Sequence, residues 1–280
     1  MMKNEIRKIV KKALKVRSKN NIPLDNSFCI FDLANNLGAE VKFIDLSSME
    51  GAFFQDSKTI LVSTLRPEGR IRFTCAHELA HYIFDHGDHF DELVEKLNTG
   101  AGHLEEELSD LFASFLLMPE TTVRTGFVRR GWNYDRPKPI EIYIISVWLG
   151  VGYTTLINHM TFSLRMLQLD YYKKLIKIQP KKIKEEILGH DCTSNLLLID
   201  KHWNGRPVDM QVGDYLAFDG KIETEVDCVK LEKVEEKSIG VAQKPGISRL
   251  QLNDSDKIVF VRVRKKEYVG RAIFRHLGEE

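Results

Sequence analysis

The 280 residues suffice for one large domain or two ordinary ones, and 43% hydrophobic with 29% charged residues is the balance of a soluble globular chain. A formal net charge of +1 gives no global pull towards nucleic acid, and no apolar run of about 18 residues is present to cross a membrane. The basic N-terminus lacks an apolar secretory stretch and the four cysteines (Cys29, Cys75, Cys192, Cys228) lack paired metal spacing, so we expect a cytoplasmic protein with reduced, mostly buried thiols.

Asn4–Lys19 reads as an amphipathic helix, with Ile6, Val10, Ala13 and Leu14 as the apolar stripe and Lys8, Lys11, Lys12, Lys15 and Lys19 as a solvated face. Pro23 marks a turn, and Phe28–Leu37 is a second helix that stops at Gly38. Glu40–Ile44, Gly51–Phe54 and Thr59–Ser63 read as strands, the last two joined by a turn around Asp56-Ser57-Lys58. Gly51–Phe54 is the expected sheet edge, where a substrate backbone could pair.

Arg66-Pro67-Glu68-Gly69 is a turn, and Arg70–His86 (RIRFTCAHELAHYIFDH) is a helix with Phe73, Ala76, Ala80 and Phe84 at helical spacing. Gly87 stands where a left-handed residue ends a helix. The helix carries His77-Glu78-Leu79-Ala80-His81, a His-Glu-x-x-His pattern. Residues four apart share a helix face, so His77 and His81 could hold one metal ion, with Glu78 placed to take a proton from water. Two surface histidines would give the same letters, but the apolar neighbours argue for a buried helix. Cys75 lies on a different face.

Asp88–His103 is polar, with Leu93, Val94 and Leu97 suggesting a short helical turn, and its length suits a flap over a cleft. Leu104–Pro119 (LEEELSDLFASFLLMP) is the next helix. Catalytic zinc typically has three protein ligands and one open position. Glu106 is the expected third ligand, with Glu107 as its rival on a neighbouring face. Asp110, four residues on from Glu106, could hold the His77 imidazole from behind. His86, His89 and His103 are weaker candidates, read as polar loop residues, and Asp85 weaker still. A third histidine in the His-x-x-Gly-x-x-His manner is ruled out by Phe84 and Gly87.

Arg72–Tyr82, RFTCAHELAHY, resembles the RFTLAHELGHY signature of the ImmA/IrrE family of metallopeptidases, and Glu106–Pro119, EELSDLFASFLLMP, is similar to its ExxANxFAxxLLMP block. Asp110 stands where the family usually has Asn, and Ser109 where it has Ala, which makes the Glu-x-x-x-Asp pairing look like the wider gluzincin clan. Gly38, Gly51 and Ile60–Ser63 are similar too, so the resemblance spans residues 1–170 or thereabouts. It implies a zinc-dependent endopeptidase whose relatives often cleave a repressor encoded nearby, or act in stress response and mobile-element control.

Beyond Pro119, Ile140–Gly150 and Thr155–Met160 flank the turn Val147–Gly152, similar to the helix-turn-helix-like segment of that family. Tyr153–His159 has few basic side chains, so packing is expected there in preference to DNA contact. Tyr171–Ile187 reads as a basic linker. Asn195–Asp200, Asp214–Phe218, Ile222–Cys228, Ile258–Arg264 and Tyr268–Phe274 read as short strands, with Arg262, Arg264, Arg271 and Arg275 on a wet sheet face.

The expected class is α+β. A mainly helical metallopeptidase domain with a small sheet occupies 1–125, a helix-turn-helix-like segment and linker 126–187, and a small all-β domain, a candidate for partner or signal binding, 188–280. The expected site is Glu78 as base, His77, His81 and Glu106 on zinc, and Asp110 behind His77. The expected partner is a protein substrate, a DNA-binding repressor, with no membrane; direct nucleic-acid binding is open but less favoured. The alternative is a non-catalytic metal-containing regulator that binds a repressor or DNA.

Overall fold

The computed structural model describes residues 2–92, 101–204, 206–219, 222–225, 228–234, 237–252 and 258–277. Its Cα positions divide into two units, Met1–Val123 with Glu267–Phe274 and Arg124–Lys266 with Arg275–Glu280.

In the first unit, Met2–Lys19 (α1) buries Ile9, Ala13 and Val16 while its lysines stay in solvent. The apolar face is therefore rotated from the expected stripe, and Ile6 is exposed. The reason is Arg17, a cation that lies on the buried side. Its guanidinium donates to the carbonyl oxygens of Leu116 (2.9 Å), Pro23 (2.7 Å) and Asn26 and sits 5.0 Å from the Phe28 ring centre. Burial pulls its pKa down to about 10, and those carbonyls replace the lost hydration.

Ile30–Asn36 (α2) stops before Gly38, whose φ of +90° suits glycine. Glu40–Ile44 (β1), Met49–Phe54 (β2) and Thr59–Ser63 (β3) follow, with β1 parallel and β2 antiparallel to β3. Glu68–Phe84 (α3) starts after Pro67, and Ile71, Arg72 and all residues from Thr74 to His81 are buried. A helix covered on every side can carry polar groups only if they are paired. Its end differs from expectation, because Asp85 (φ +59°) takes the left-handed position two residues before Gly87 (φ +83°).

These two residues turn the chain back, and His89–Glu92 (β4) pairs antiparallel with β2. The backbone N–H of Gln55 donates to Asp88 Oδ1 (2.8 Å) and holds the turn. Gly51–Phe54 is therefore interior, with β4 covering the edge expected to be free. Residues 93–100, including the expected turn near Leu93, Val94 and Leu97 and most of the expected flap, lie outside the described residues. Ala101–Leu117 (α4) packs on α1 and α3 through Phe112, Ala113 and Leu116.

The division between units falls within Glu120–Val128 (α5). In the second unit, Pro139–Leu149 (α6) ends at Gly150 (φ +76°), and Tyr153–Asn158 (α7) continues into a π-helical turn, His159–Ser163. The two helical runs meet at 103°, a helix-turn-helix-like angle. α7 buries Tyr153, Leu156 and Ile157, which packs it inward. No single helix among the described residues is long and apolar enough to cross a membrane.

The expected basic linker is instead helical, Leu169–Leu175 (α8) and Pro180–Leu188 (α9). Pro180 at the first turn and left-handed Gly189 after the last delimit α9, signals that its lysines obscured. Leu196–Ile199 (β5), Val208–Gln211 (β6), Tyr215–Asp219 (β7), Ile222–Glu225 (β8), Val229–Val234 (β9), Lys237–Ala242 (β10), Gly246–Leu252 (β11) and Ile258–Arg264 (β12) complete the unit. They form two four-stranded sheets, β5-β7-β10-β9 and β6-β12-β11-β8, which share their unit with α6–α9. Arg262 is not on a wet face: it faces Asp209 across the parallel β6–β12 pair and donates to both carboxylate oxygens (2.7 and 2.9 Å). Arg275 approaches the same buried carboxylate at 3.4 Å.

The strand expected at Tyr268–Phe274 also differs. Only Gly270–Arg271 (β13) is extended, it belongs to the first unit, and it pairs antiparallel with β1. The first unit's sheet thus runs β13-β1-β3-β2-β4.

Candidate metal centre

α3 and α4 pack together, and their facing side chains converge. His77 and His81, one turn apart on α3, bring their Nε2 atoms to 3.2 Å. Glu106 of α4 sets Oε2 3.6 Å from His77 Nε2 and Oε1 3.5 Å from His81 Nε2. Zinc bonds of about 2.0–2.1 Å at tetrahedral angles separate neighbouring ligand atoms by about 3.3–3.4 Å. The spacings lie near that edge, although the two imidazoles face different oxygens of Glu106, and one ligand atom from each residue lies within 4.8 Å of the others, so the donor set fits such an ion. Glu107 is exposed, on another face of α4.

Asp110 Oδ1 lies 2.8 Å from His77 Nδ1, so the His77 ring is held from behind. Glu78 is fully buried beside the imidazoles. β2 crosses directly over it. A Cβ at Gly51 would come 2.5 Å from Thr74 Cγ2 and 2.9 Å from Glu78 Oε1. Gly51→Ala is therefore expected to displace Glu78 and to cost about 1–3 kcal/mol of stability, which a urea melt checks.

Two histidines read as loop residues belong to the cluster. His89, on β4, places Nε2 2.5 Å from Glu106 Oε1 and Nδ1 3.1 Å from Glu78 Oε2, and its ring stacks on His81 (centroids 3.7 Å, planes at 6°). His86 Nδ1 lies 3.1 Å from His81 Nδ1. The spacing of histidines at 77, 81, 86 and 89 was the available signal, but placing His89 needed the β2–β4 pairing. Asp85 is exposed and accepts from the Gln55 amide (2.6 Å), outside the cluster, and the side chain of His103 lies outside the described residues.

Burial and the neighbouring carboxylates act in opposite directions on these imidazoles. Burial lowers the His77 imidazole, but Asp110, Glu106 and Glu78 outweigh it and push His77 up to about 10. Burial likewise opposes, and Glu106 and Glu78 overcome it, at His89, which rises to about 9. Burial dominates at His81, pushed down to about 4 with the cationic His89 and His77 assisting. A divalent cation would release the protons on His77 and His89.

Residues 34–140 match the family described as the IrrE N-terminal-like domain. The radiation response metalloprotease IrrE of Deinococcus radiodurans is 37% identical over 100 residues, which are 34% of this chain and 29% of that protein. The chain thus aligns with under a third of that relative's length. A solved Mycobacterium tuberculosis transcriptional regulator aligns at a TM-score of 0.41 and 18% identity, over 55% of this chain and 46% of that one. The matched segment, 34–140, holds His77, Glu78, His81, Glu106 and Asp110, and it is this part of the chain that is similar to the ImmA/IrrE family.

Proposed function

We propose that this chain is a cytoplasmic zinc endopeptidase that hydrolyses a peptide bond in a regulatory protein, a DNA-binding repressor, during stress response or mobile-element control. The observation that carries this reading is the convergence of His77, His81 and Glu106, with their ligand atoms within 4.8 Å of one another and Glu78 buried next to them. Two imidazoles and a carboxylate suit zinc, and the segment 1–125 would carry the chemistry while 188–280 would serve partner or signal binding.

His77, His81 and Glu106 would hold the ion, and Asp110 fixes the His77 tautomer through Nδ1. Zinc, when bound, supplies a water of lowered pKa and polarisation of the scissile carbonyl. Glu78 would act as the base that takes up a proton from water and returns it to the leaving amine. Burial keeps the Glu78 carboxylate away from bulk solvent, where its proton would be lost.

One zinc per chain is expected, together with cleavage of a repressor encoded beside this gene that stops on chelation and returns with zinc. Binding of the repressor without cleavage, indifferent to chelator, would favour the non-catalytic regulator instead.

A further inference from the structure

The motif gives roles to His77 and His81, but none to His89, and the three rings are arranged alike. Each turns Nε2 towards the Glu106 carboxylate, at 3.6 Å for His77, 3.5 Å for His81 and 2.5 Å for His89. Each has Nδ1 engaged on its far side: by Asp110 at 2.8 Å, by His86 at 3.1 Å and by Glu78 at 3.1 Å. Metal-bound histidines are held in this way, one nitrogen on the ion and the other in a hydrogen bond that fixes the ring. One ligand atom from each of His77, His81, His89 and Glu106 lies within 4.8 Å of the others. The 2.5 Å contact is the shortest of these, and the His81 and His89 rings, stacked at 3.7 Å with planes at 6°, turn apart when both Nε2 lone pairs meet one ion.

We infer that His89 is a fourth protein ligand of the metal, and that β4 docked as seen here closes the site. This rests on the zinc reading above. Four protein ligands mark a structural site, whereas a hydrolytic one keeps a position for water. In the closed form Glu78 is also engaged, since its Oε2 accepts from His89 Nδ1. The same strand covers β2, the edge where a substrate backbone would add, with His89 opposite Phe53. Metal, base and sheet edge are thus all occupied by one four-residue strand at the end of the sheet. A short edge strand paired on one side separates at low cost, so withdrawal of β4 is the step that opens the enzyme.

X-ray absorption of the zinc-loaded full chain should count three imidazoles in the wild type and two in His89→Ala. Zinc affinity of His89→Ala, measured against a chromogenic chelator, should fall on the order of tenfold or more. Cobalt-loaded His89→Cys should regain a four-ligand spectrum with a thiolate-to-cobalt charge-transfer band, which a misfolded chain would not give. Two imidazoles in the wild type, an unchanged affinity in His89→Ala, or no charge-transfer band in His89→Cys overturns the fourth ligand and leaves the peptidase reading standing. A wild-type chain that takes up no zinc overturns both.

Discussion

Glu78→Gln is expected to retain one zinc per chain and to lose cleavage by at least about 10²–10⁴-fold, the range of general acid–base catalysis. The substitution is isosteric, so the fully buried position stays filled and α3 keeps its packing. The amide oxygen can still accept from His89 Nδ1, so the cluster stays assembled. What disappears is the buried carboxylate assigned to take a proton and return it, while Glu106 and Asp110 keep their contacts with His77. Zinc analysis and a cleavage assay on the same preparation separate the two effects. Activity surviving in this variant would remove Glu78 from the role of base.

Asp209→Ala is expected to destabilise the second unit by about 3–5 kcal/mol, the cost of removing one partner from a buried ion pair. Asp209 is buried, receives two hydrogen bonds from Arg262 and has Arg275 at 3.4 Å. Without the carboxylate, two guanidinium groups lose the anion they share inside the protein. Arg262→Met added to Asp209→Ala should recover part of the loss, because the charge left behind is then gone. Urea melts of the single and double variants measure this. A single variant within about 0.5 kcal/mol of wild type would show that the pair is solvated in practice.

How far the site was legible depends on how local each relationship is. His77, Glu78 and His81 lie within one helical turn, so periodicity alone fixed which two imidazoles share a face. Glu106 and Asp110 are likewise one turn apart on α4, and reading that face put both towards His77. Glu107, on the neighbouring face, could be weighed against Glu106 but was separated from it only when α4 was seen against α3. β1 and β3 were bounded correctly at Glu40–Ile44 and Thr59–Ser63, where β-branched and aromatic residues alternate between turns.

The misreadings share a different cause. His89–Glu92 has no strand composition; it is extended because β2 offers it hydrogen bonds, and that pairing makes a loop histidine part of the cluster. Arg262 alternates like a solvent-facing residue, yet the parallel partner strand β6 sets Asp209 opposite it. Gly270–Arg271 leaves the C-terminal strands for the edge of β1. The sequence by itself determined α3 and α4 and the faces that carry His77, His81, Glu106 and Asp110, since these follow from spacing within one element. Only the tertiary structure decided which strand covers β2, and so which imidazole joins the metal cluster, because strand partners are chosen across the chain by hydrogen bonds that leave no local trace.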